Sequence, residues 1–294
     1  MLFKKKEENP PKANQSRTEK KEKKGALAEW VDAIVFALVV STIVRVLVFQ
    51  SYHIPTESME STQLAGDFLF VNNVSYGALI PFTEWRVPGF TKPEVGDIVV
   101  FRYPIDPSVD YIKRCVGIAG DTIEIKDRQL FNNGKIFPNP PKSQFVTKYT
   151  MKKGDQTQET SRPWPIHKPW NRDWYGPLYI PKKGDVIPMN AETYPIYEKC
   201  IIYDTKMKPR LVNNLVYLDG KIISEYTIQQ DYYFMMGDNR DNSLDSRYWG
   251  FVPYNNVKGT PLFTWFSWDS NIPFTRPIDL LASIRWSRLL RPIE

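Results

Sequence analysis

The sequence of 294 residues predicts a mainly β fold that follows one N-terminal membrane-spanning helix. A single long apolar run lies near the N-terminus, and short β-branched and aromatic runs separated by turn residues follow it. A Gly-Asp pair precedes such a run at Gly96, Gly120 and Gly184, and hairpin turns are expected at the Asn-Gly and Asp-Gly pairs that begin at Asn133 and Asp219. Turn residues of this kind between apolar runs are typical of antiparallel β-structure.

Residues 1–24 carry nine Lys and Arg against four Glu, so almost all of the net charge of +6 lies in this tail. The tail is nearly free of large apolar side chains and cannot offset its ordering entropy by burial. We therefore predict a disordered basic cytoplasmic tail over residues 1–26. The rest of the chain is close to neutral and lacks clustered basic charge, so nucleic acid is not expected as a partner.

The apolar run Ala33–Phe49 is 17 residues long and is interrupted by three polar residues. This length is short for a bilayer span, so a buried helix of a soluble domain is the alternative. Trp30 at the start and the basic tail before it favour a membrane anchor. A cleaved export signal is disfavoured because no small-residue cleavage site follows the run. We predict a transmembrane anchor over residues 27–50, with the tail in the cytoplasm and residues 51–294 outside.

The segment Gly237–Pro253 carries three Asp, two Arg, two Asn and two Ser between two apolar runs. A solvated loop is the simplest interpretation. Isolated surface ion pairs, however, stabilise a fold by only about 0 to 1 kcal/mol, so stability alone is a weak reason for such a cluster. The density of opposed charges instead predicts a fixed polar network that positions other groups.

Ser58 and Lys113 are candidate reactive residues. A serine hydroxyl is a weak nucleophile that needs a neighbouring base. Of the two histidines, His53 has no acidic partner in a recognisable arrangement and His167 lies in a Pro- and Trp-rich stretch. Lys113 lies in the expected strand Asp110–Gly117, where a solvated lysine is the commoner role. An unperturbed lysine has a pKa of about 10.4 and is charged at pH 7. Desolvation must lower the pKa of Lys113 to roughly 7 to 8 for it to act as a base.

Three segments, Ile54–Val71, Gly96–Asp121 and Gly237–Pro253, resemble bacterial type I signal peptidases in the same order. The resemblance implies a membrane-bound serine endopeptidase that cleaves signal peptides from exported preproteins after small residues, at Ala-x-Ala sites, through an acyl-enzyme. It also implies a signal-peptidase-like β fold, membrane lipids as a partner, and no cofactor or metal. The expected location is the plasma (inner) membrane, with the catalytic domain on the outer or periplasmic side. The oligomeric state is not indicated.

By this resemblance Ser58 matches the nucleophile of these enzymes and Lys113 matches their general base. Ser243 is expected to hydrogen-bond and orient Lys113. Asp245 and Arg247 are expected to form a supporting ion pair, and Arg114 is expected as a further supporting residue. The dense charges of the segment are expected to pair with one another, because a carboxylate beside the amine would keep it protonated.

The resemblance assigns the oxyanion donors to the backbone N–H of Ser58 and the hydroxyl of Thr56. It assigns five residues to the substrate pocket: Ile54, Pro55, Met59, Tyr111 and Ile112. The chain departs from the common family pattern at Glu57, Ser61 and Gln63, where relatives commonly have a small residue, Pro and Leu. These departures concern the pocket and leave the nucleophile and the base unchanged.

Two other functions share parts of this pattern. A noncatalytic anchored module could keep the fold and bind exported chains, but the presence of both Ser58 and Lys113 argues against it. A self-cleaving repressor with a Ser-Lys pair has the same chemistry, but it needs a DNA-binding domain where this chain has an apolar run.

The positions of the family segments predict a catalytic β core formed by residues 51–126 and 231–270. The Pro-, Trp- and Tyr-rich stretch 127–230 between them lacks family motifs and predicts an inserted subdomain of unassigned role. Residues 271–294 mix apolar residues with arginines and predict either an interfacial tail or a packed terminal helix.

Cys115 and Cys200 are the two cysteines of the chain, 85 residues apart. Their number and spacing exclude a disulfide framework and a cysteine-based zinc site. A single bridge between them is left open by the sequence.

Overall fold

The computed structural model describes residues 25–80, 83, 85–141, 143–157, 161–273 and 275–293. The tail predicted to be disordered lies almost entirely outside the described residues. The chain divides into two compact units, of which the first ends at Thr42 and the second begins at Ile43. The strands all belong to the second unit.

The predicted anchor is mostly helical, as α1 (Ala26–Leu47). Large apolar side chains are exposed along this helix, among them Leu27, Phe36 and Leu38. Within the part of the chain that the structure describes, no helix is both long enough and apolar enough to cross a membrane. The helix ends at Leu47, so the last residues of the predicted anchor belong to the first strand instead.

In chain order, the strands are β1 (Phe49–His53), β2 (Asp67–Asn72), β3 (Ile98–Arg102), β4 (Asp110–Gly117), β5 (Thr122–Lys126), β6 (Gln129–Asn132), β7 (Lys135–Ile136), β8 (Tyr175–Tyr179), β9 (Val186–Pro188), β10 (Arg210–Val212), β11 (Leu215–Leu218), β12 (Lys221–Ile223), β13 (Glu225–Thr227), β14 (Tyr232–Met236), β15 (Val252–Pro253), β16 (Val257–Ser267) and β17 (Arg291–Pro292). The other helices are α2 (Tyr194–Thr205), α3 (Ser246–Trp249) and α4 (Pro277–Ala282), and 3-10 turns cover Tyr254–Asn256 and Trp286–Arg288. The prediction of a mainly β fold is confirmed.

The main sheet is antiparallel, with the strand order β1-β2-β16-β3-β4-β14-β15, and β17 pairs with β16. Both of its faces are covered, as β3 illustrates. Ile98 and Val100 pack in one apolar cluster, whereas Val99 and Phe101 pack in another. Because successive side chains of a strand point to opposite faces, a strand buried on both sides has an unbroken apolar sequence. The central strand β4 is held between β3 and β14.

The predicted inserted subdomain, residues 127–230, which we call the insert, forms small sheets together with β5, with the strand orders β7-β6-β5-β8, β9-β13 and β10-β11-β12. The predicted boundary after residue 126 is wrong for β5, because this strand pairs with β6 and β8 rather than with the main sheet. The reason is local: Asp127 and Arg128 both adopt positive φ and turn the chain directly back into β6. Val116 and Phe234 of the main sheet share one core with residues of the insert.

The described part of the C-terminal segment packs on the β domain. Leu280 is buried, and Arg288 Nε donates to the buried carboxylate of Asp67 at 2.9 Å. The pairing of β17 with β16 holds the end of the segment. The segment therefore packs through α4, a 3-10 turn and β17 rather than as one terminal helix, and its contact with a membrane stays a prediction. Four large apolar side chains of the segment stay exposed: Ile278, Leu281, Trp286 and Leu290.

Cys115 and Cys200 are free thiols, so the disulfide that the sequence left open is not formed. They lie in different apolar clusters. Burial raises the pKa of both thiols, which disfavours the reactive thiolate.

Gln63 is fully buried, and neither polar atom of its side chain has a hydrogen-bond partner among the described residues. A buried amide without partners costs about 1 to 3 kcal/mol. We predict that Gln63→Leu raises the free energy of unfolding by about 1 kcal/mol, measured by urea denaturation of the full chain.

Thr62→Val is the matched control for this prediction. The Thr62 hydroxyl donates to the buried carboxylate of Asp238 at 2.6 Å, so its loss should lower the free energy of unfolding by about 1 to 3 kcal/mol. A Gln63→Leu variant that is no more stable than the unaltered chain would contradict the prediction.

Candidate active site

Ser58 lies in the turn that follows β1, residues 55–63, which we call the serine turn. Met59 anchors this turn, because its side chain is fully buried. The carbonyl of Met59 accepts the N–H groups of Thr62 and Gln63, at 3.1 and 2.8 Å. The burial of Met59 and these two hydrogen bonds thus fix the backbone next to Ser58.

Strand β4 brings the side chain of Lys113 to Ser58. Lys113 Nζ lies 2.6 Å from Ser58 Oγ and donates to the carbonyl of Ile112 at 2.9 Å. Both side chains are buried, with exposed fractions of 3% for Lys113 and 9% for Ser58. The structure therefore brings together the two residues that the sequence singled out.

Burial lowers the pKa of Lys113 to about 8. Removal from water disfavours the charged ammonium, and the carboxylates of Asp245 and Asp238 oppose this effect only in part. About a tenth of the amine is consequently uncharged at pH 7, and an uncharged amine can accept the hydroxyl proton.

Asp245 and Arg247 form the expected ion pair. Arg247 Nε and Nη2 donate to the two oxygens of the Asp245 carboxylate, at 2.9 and 2.8 Å. Gly237 N–H also donates to this carboxylate, at 3.1 Å. Burial alone would raise the pKa of Asp245, but the charge and hydrogen bonds of Arg247 outweigh it and hold the pKa below its ordinary value. The pair is fully enclosed, and it fixes the start of α3.

Arg114 forms a second buried ion pair, with Asp238. Its Nε and Nη2 donate to the two oxygens of the Asp238 carboxylate, at 2.9 and 2.8 Å. Arg114 Nη1 donates to the Gly96 carbonyl, and the Thr62 hydroxyl donates to Asp238. The sequence suggested a supporting role for Arg114 but did not identify its partner.

The expected hydrogen bond from Ser243 to Lys113 is absent. Among the described residues, Ser243 Oγ has no regular hydrogen-bond partner, although its hydroxyl helps to lower the pKa of Asp245. The carbonyl of Ile112 takes the place expected for Ser243 on the amine. Ser243 Oγ instead lies against Gly237, where a Cβ would be only 2.2 Å from it.

The two oxyanion candidates, the Thr56 hydroxyl and the Ser58 N–H, belong to the serine turn. Thr56 Oγ1 is 3.4 Å from Ser58 Oγ. The N–H of Ser58 has no acceptor among the described residues, whereas the Ser58 carbonyl accepts the N–H of Asn239 at 3.1 Å. The arrangement therefore leaves one backbone donor and one hydroxyl available to a substrate oxygen.

Ser58 and Lys113 open into a groove of about 600 Å³. Four of the five residues predicted for the substrate pocket line it: Ile54, Pro55, Tyr111 and Ile112. The groove is also lined by residues that the sequence analysis did not find, including Val100, Val109 and Leu244. These three are ordinary apolar residues without a sequence signal, and only the fold brings them to the groove.

Met59 is the predicted pocket residue that does not line the groove. Its side chain is fully buried in the cluster that also holds Leu69 and Ile112. The backbone of the serine turn points Ser58 towards the groove and the next residue into the core. In this structure the Met59 side chain therefore anchors the turn, and its contact with a substrate stays a prediction.

The two histidines make no hydrogen bond to Ser58 in the described structure. His53 lines the groove and packs against Phe68, with ring centroids 4.7 Å apart. His167 lies in the insert, and burial lowers its pKa. Within the described residues, no group of His, Cys, Asp and Glu is placed to hold a metal ion.

The charges of residues 238–247 were expected to pair with one another, and this is only partly correct. Asp241 contacts the insert instead, where its carboxylate accepts the N–H and the hydroxyl of Thr147 at 2.8 and 2.7 Å. Arg172 Nε also lies 3.7 Å from this carboxylate. The sequence of the insert gave no signal for these contacts.

Comparison with known proteins assigns the family. The family model described as "Signal peptidase, peptidase S26" matches residues 27–268. The chain is 33% identical over 242 residues to signal peptidase I of Buchnera aphidicola subsp. Acyrthosiphon pisum, covering 78% of this chain and 72% of that protein. It is 30% identical over 270 residues to signal peptidase I of Pseudomonas aeruginosa, covering 87% and 79%, and 30% identical over 287 residues to that of Rickettsia massiliae, covering 91% and 93%.

A β domain with a serine hydroxyl against a buried amine in an open groove belongs with the serine endopeptidases. The chain is a member of the signal peptidase family, peptidase S26, and its relatives across most of its length are signal peptidases I.

Burial of the Lys113 amine should destabilise the fold in a pH-dependent way. Its pKa is about 8 in the folded chain and about 10.4 in an unfolded one, so the destabilisation is full below pH 8 and fades as the pH rises to about 10.4. We predict that Lys113→Met raises the free energy of unfolding by about 2 kcal/mol at pH 7, and by much less at pH 10.

The measurement is urea denaturation at pH 7 and pH 10. Lys135→Met is the control, because Lys135 is exposed and its replacement should change stability little at either pH. An increase in the free energy of unfolding for Lys113→Met that is the same at both pH values would show that burial does not lower the pKa of the amine.

Proposed function

We propose that this protein removes signal peptides from exported preproteins, with Ser58 as the nucleophile and Lys113 as the general base. The contact of 2.6 Å between Lys113 Nζ and Ser58 Oγ supports the proposal most directly. Burial of the amine, with a pKa of about 8, supports it independently. Membership of the signal peptidase family supplies the substrate class.

In the proposed reaction, Ser58 Oγ attacks the carbonyl carbon of the scissile peptide bond while Lys113 accepts the hydroxyl proton. The oxyanion that forms accepts hydrogen bonds from the Ser58 N–H and the Thr56 hydroxyl. Collapse of this intermediate breaks the C–N bond, and Lys113 returns the proton to the leaving amine. A water molecule then gives a proton to Lys113 and attacks the acyl carbon. The ester C–O bond breaks, the acyl group leaves as the acid, and Lys113 returns the proton to Ser58 Oγ.

The groove supports a preference for small residues beside the scissile bond, as in Ala-x-Ala sites. Ile54, Tyr111 and Ile112 present an apolar wall next to Ser58 and Lys113. Small apolar side chains fit a shallow wall of this kind, and a charged side chain there would lose its hydration without gaining a partner.

We further propose that residues 27–48, up to the start of β1, anchor the protein in the plasma membrane, with the basic tail in the cytoplasm and the β domain outside. The exposed apolar side chains of α1 support the anchor, and the excess of Lys and Arg before it supports the orientation. Ser58 follows Phe49 by nine positions, a reach of at most about 30 Å, so the reaction would take place near the lipid surface.

Replacement of either member of the Ser-Lys pair should abolish processing. We expect Ser58→Ala to lower kcat on a preprotein with an Ala-x-Ala site by about 10³-fold or more, and Lys113→Ala by about 10²- to 10⁴-fold. His167→Gln, a replacement in the insert, should leave kcat unchanged.

The value of kcat/KM of the unaltered enzyme should rise with pH through about 8, because only the uncharged amine accepts the proton.

Retained cleavage in Ser58→Ala would refute the assignment of the nucleophile. A Lys113→Ala variant that keeps the activity and pH dependence of the unaltered enzyme would refute the assignment of the base.

The anchor is tested by alkaline extraction and by protease treatment of intact spheroplasts. We expect the full chain to stay with the membrane pellet and the β domain to be accessible to protease from outside. A chain lacking residues 1–48 is the control and should be released by extraction. Release of the full chain, or protection of the β domain, would contradict the proposal.

A further inference from the structure

A short segment of the insert joins the loop after β14. In this segment, Ser143–Thr147, which we call the bracing segment, the N–H of Gln144 donates to the Asp238 carbonyl at 3.0 Å. The Gln144 carbonyl in turn accepts the N–H of Arg240 at 3.0 Å. Gln144 and Asn239 thus form a parallel β-bridge, and Asp241 holds the end of the segment at Thr147. The bracing segment is fixed to the loop by its backbone.

The side chain of Gln144 reaches from this bridge to the serine turn. Its Nε2 donates to Glu60 Oε2 at 2.9 Å, and its Oε1 accepts the Ser61 hydroxyl at 3.1 Å. Ser61 has a φ of 77°, in the left-handed region that a residue with a side chain rarely adopts. The residues that Gln144 holds follow Ser58 in the turn by two and three positions.

Asn239 ties the other side of the same turn. Its backbone N–H donates to the Ser58 carbonyl at 3.1 Å, and its Nδ2 donates to the Glu57 carbonyl at 3.1 Å and to Glu60 Oε2 at 3.2 Å. Glu60 Oε2 therefore accepts from the side chains of both Asn239 and Gln144. Hydrogen bonds to a carboxylate are stronger than those between neutral groups, so Glu60 links the serine turn firmly to both.

We infer that Gln144 is a positioning residue through which the insert holds Ser58 in reach of Lys113. This inference rests on the proposed function, in which Ser58 is the nucleophile. The turn includes a left-handed serine and needs outside contacts to keep one geometry. The reaction is sensitive to that geometry, because a displacement of about 1 Å between reacting groups can lower a rate about 10²-fold.

The test compares two glutamine replacements in the insert. Gln144→Ala should lower kcat in single-turnover cleavage of a preprotein by about 10- to 100-fold, while KM stays within about threefold. Gln156→Ala is the matched control. Gln156 Nε2 donates to the carbonyls of Lys168 and Trp170, which both belong to the insert, so its loss should leave kcat unchanged.

A reciprocal exchange tests whether the effect passes through position 60. Gln144→Glu alone places a second carboxylate against Glu60 and should lower kcat at least as much as Gln144→Ala. The double variant Glu60→Gln with Gln144→Glu restores an amide donor facing a carboxylate acceptor. It should recover kcat to within about threefold of the unaltered enzyme, a rescue that a general loss of stability would not give.

Two results would overturn the inference. One is a kcat for Gln144→Ala equal to that for Gln156→Ala, and the other is a double variant no faster than Gln144→Glu. Ser58→Ala is measured alongside, and its loss of cleavage is required by the proposed function alone. Loss in Ser58→Ala with normal rates for Gln144→Ala would therefore refute the role of Gln144 and leave the nucleophile intact.

Discussion

The burial of an amine that must lose its charge is the constraint on which the site depends. Lys113 lies 2.6 Å from Ser58 Oγ with almost no exposure to water, and its pKa is held near 8. A lysine in water would be protonated at neutral pH and could not take a proton from a serine. The fold is the source of the effect, because β4 carries Lys113 beneath the serine turn, where Ser58 contacts the amine and water is excluded.

The surrounding charges are arranged so that they do little to raise the pKa of Lys113 again. Asp238 and Asp245 both favour protonation of the amine, yet each is bound through two hydrogen bonds by an arginine, Arg114 or Arg247. Arg240 adds a third buried guanidinium, whose pKa is lowered to about 10 by burial and by Arg247. Buried ion pairs add little net stability, so their value here is in fixing geometry and limiting the field of the carboxylates.

The serine turn depends on contacts from both parts of the β domain. Met59 anchors it in the core of the main sheet, whereas Gln144 of the insert binds the residues that follow. The insert also shares an apolar core with β14, next to the segment that carries Asp238 and Asp245. The subdomain that lacked motifs in the sequence is thus part of the support of the site.

The sequence by itself determined the mainly β fold through its local turn residues, whereas Ser58, Lys113 and the ion pair of Asp245 with Arg247 were expected from the resemblance of three segments to signal peptidases. Glycine and aspartate turns mark strands, and a dense run of opposed charges marks a buried network. Only the tertiary structure decided that Met59 points into the core, that Ser243 makes no hydrogen bond with Lys113, that Asp238 pairs with Arg114, and that Gln144 reaches Glu60. These contacts join residues distant in the chain or depend on the direction of a single side chain, and no local pattern of residues specifies either.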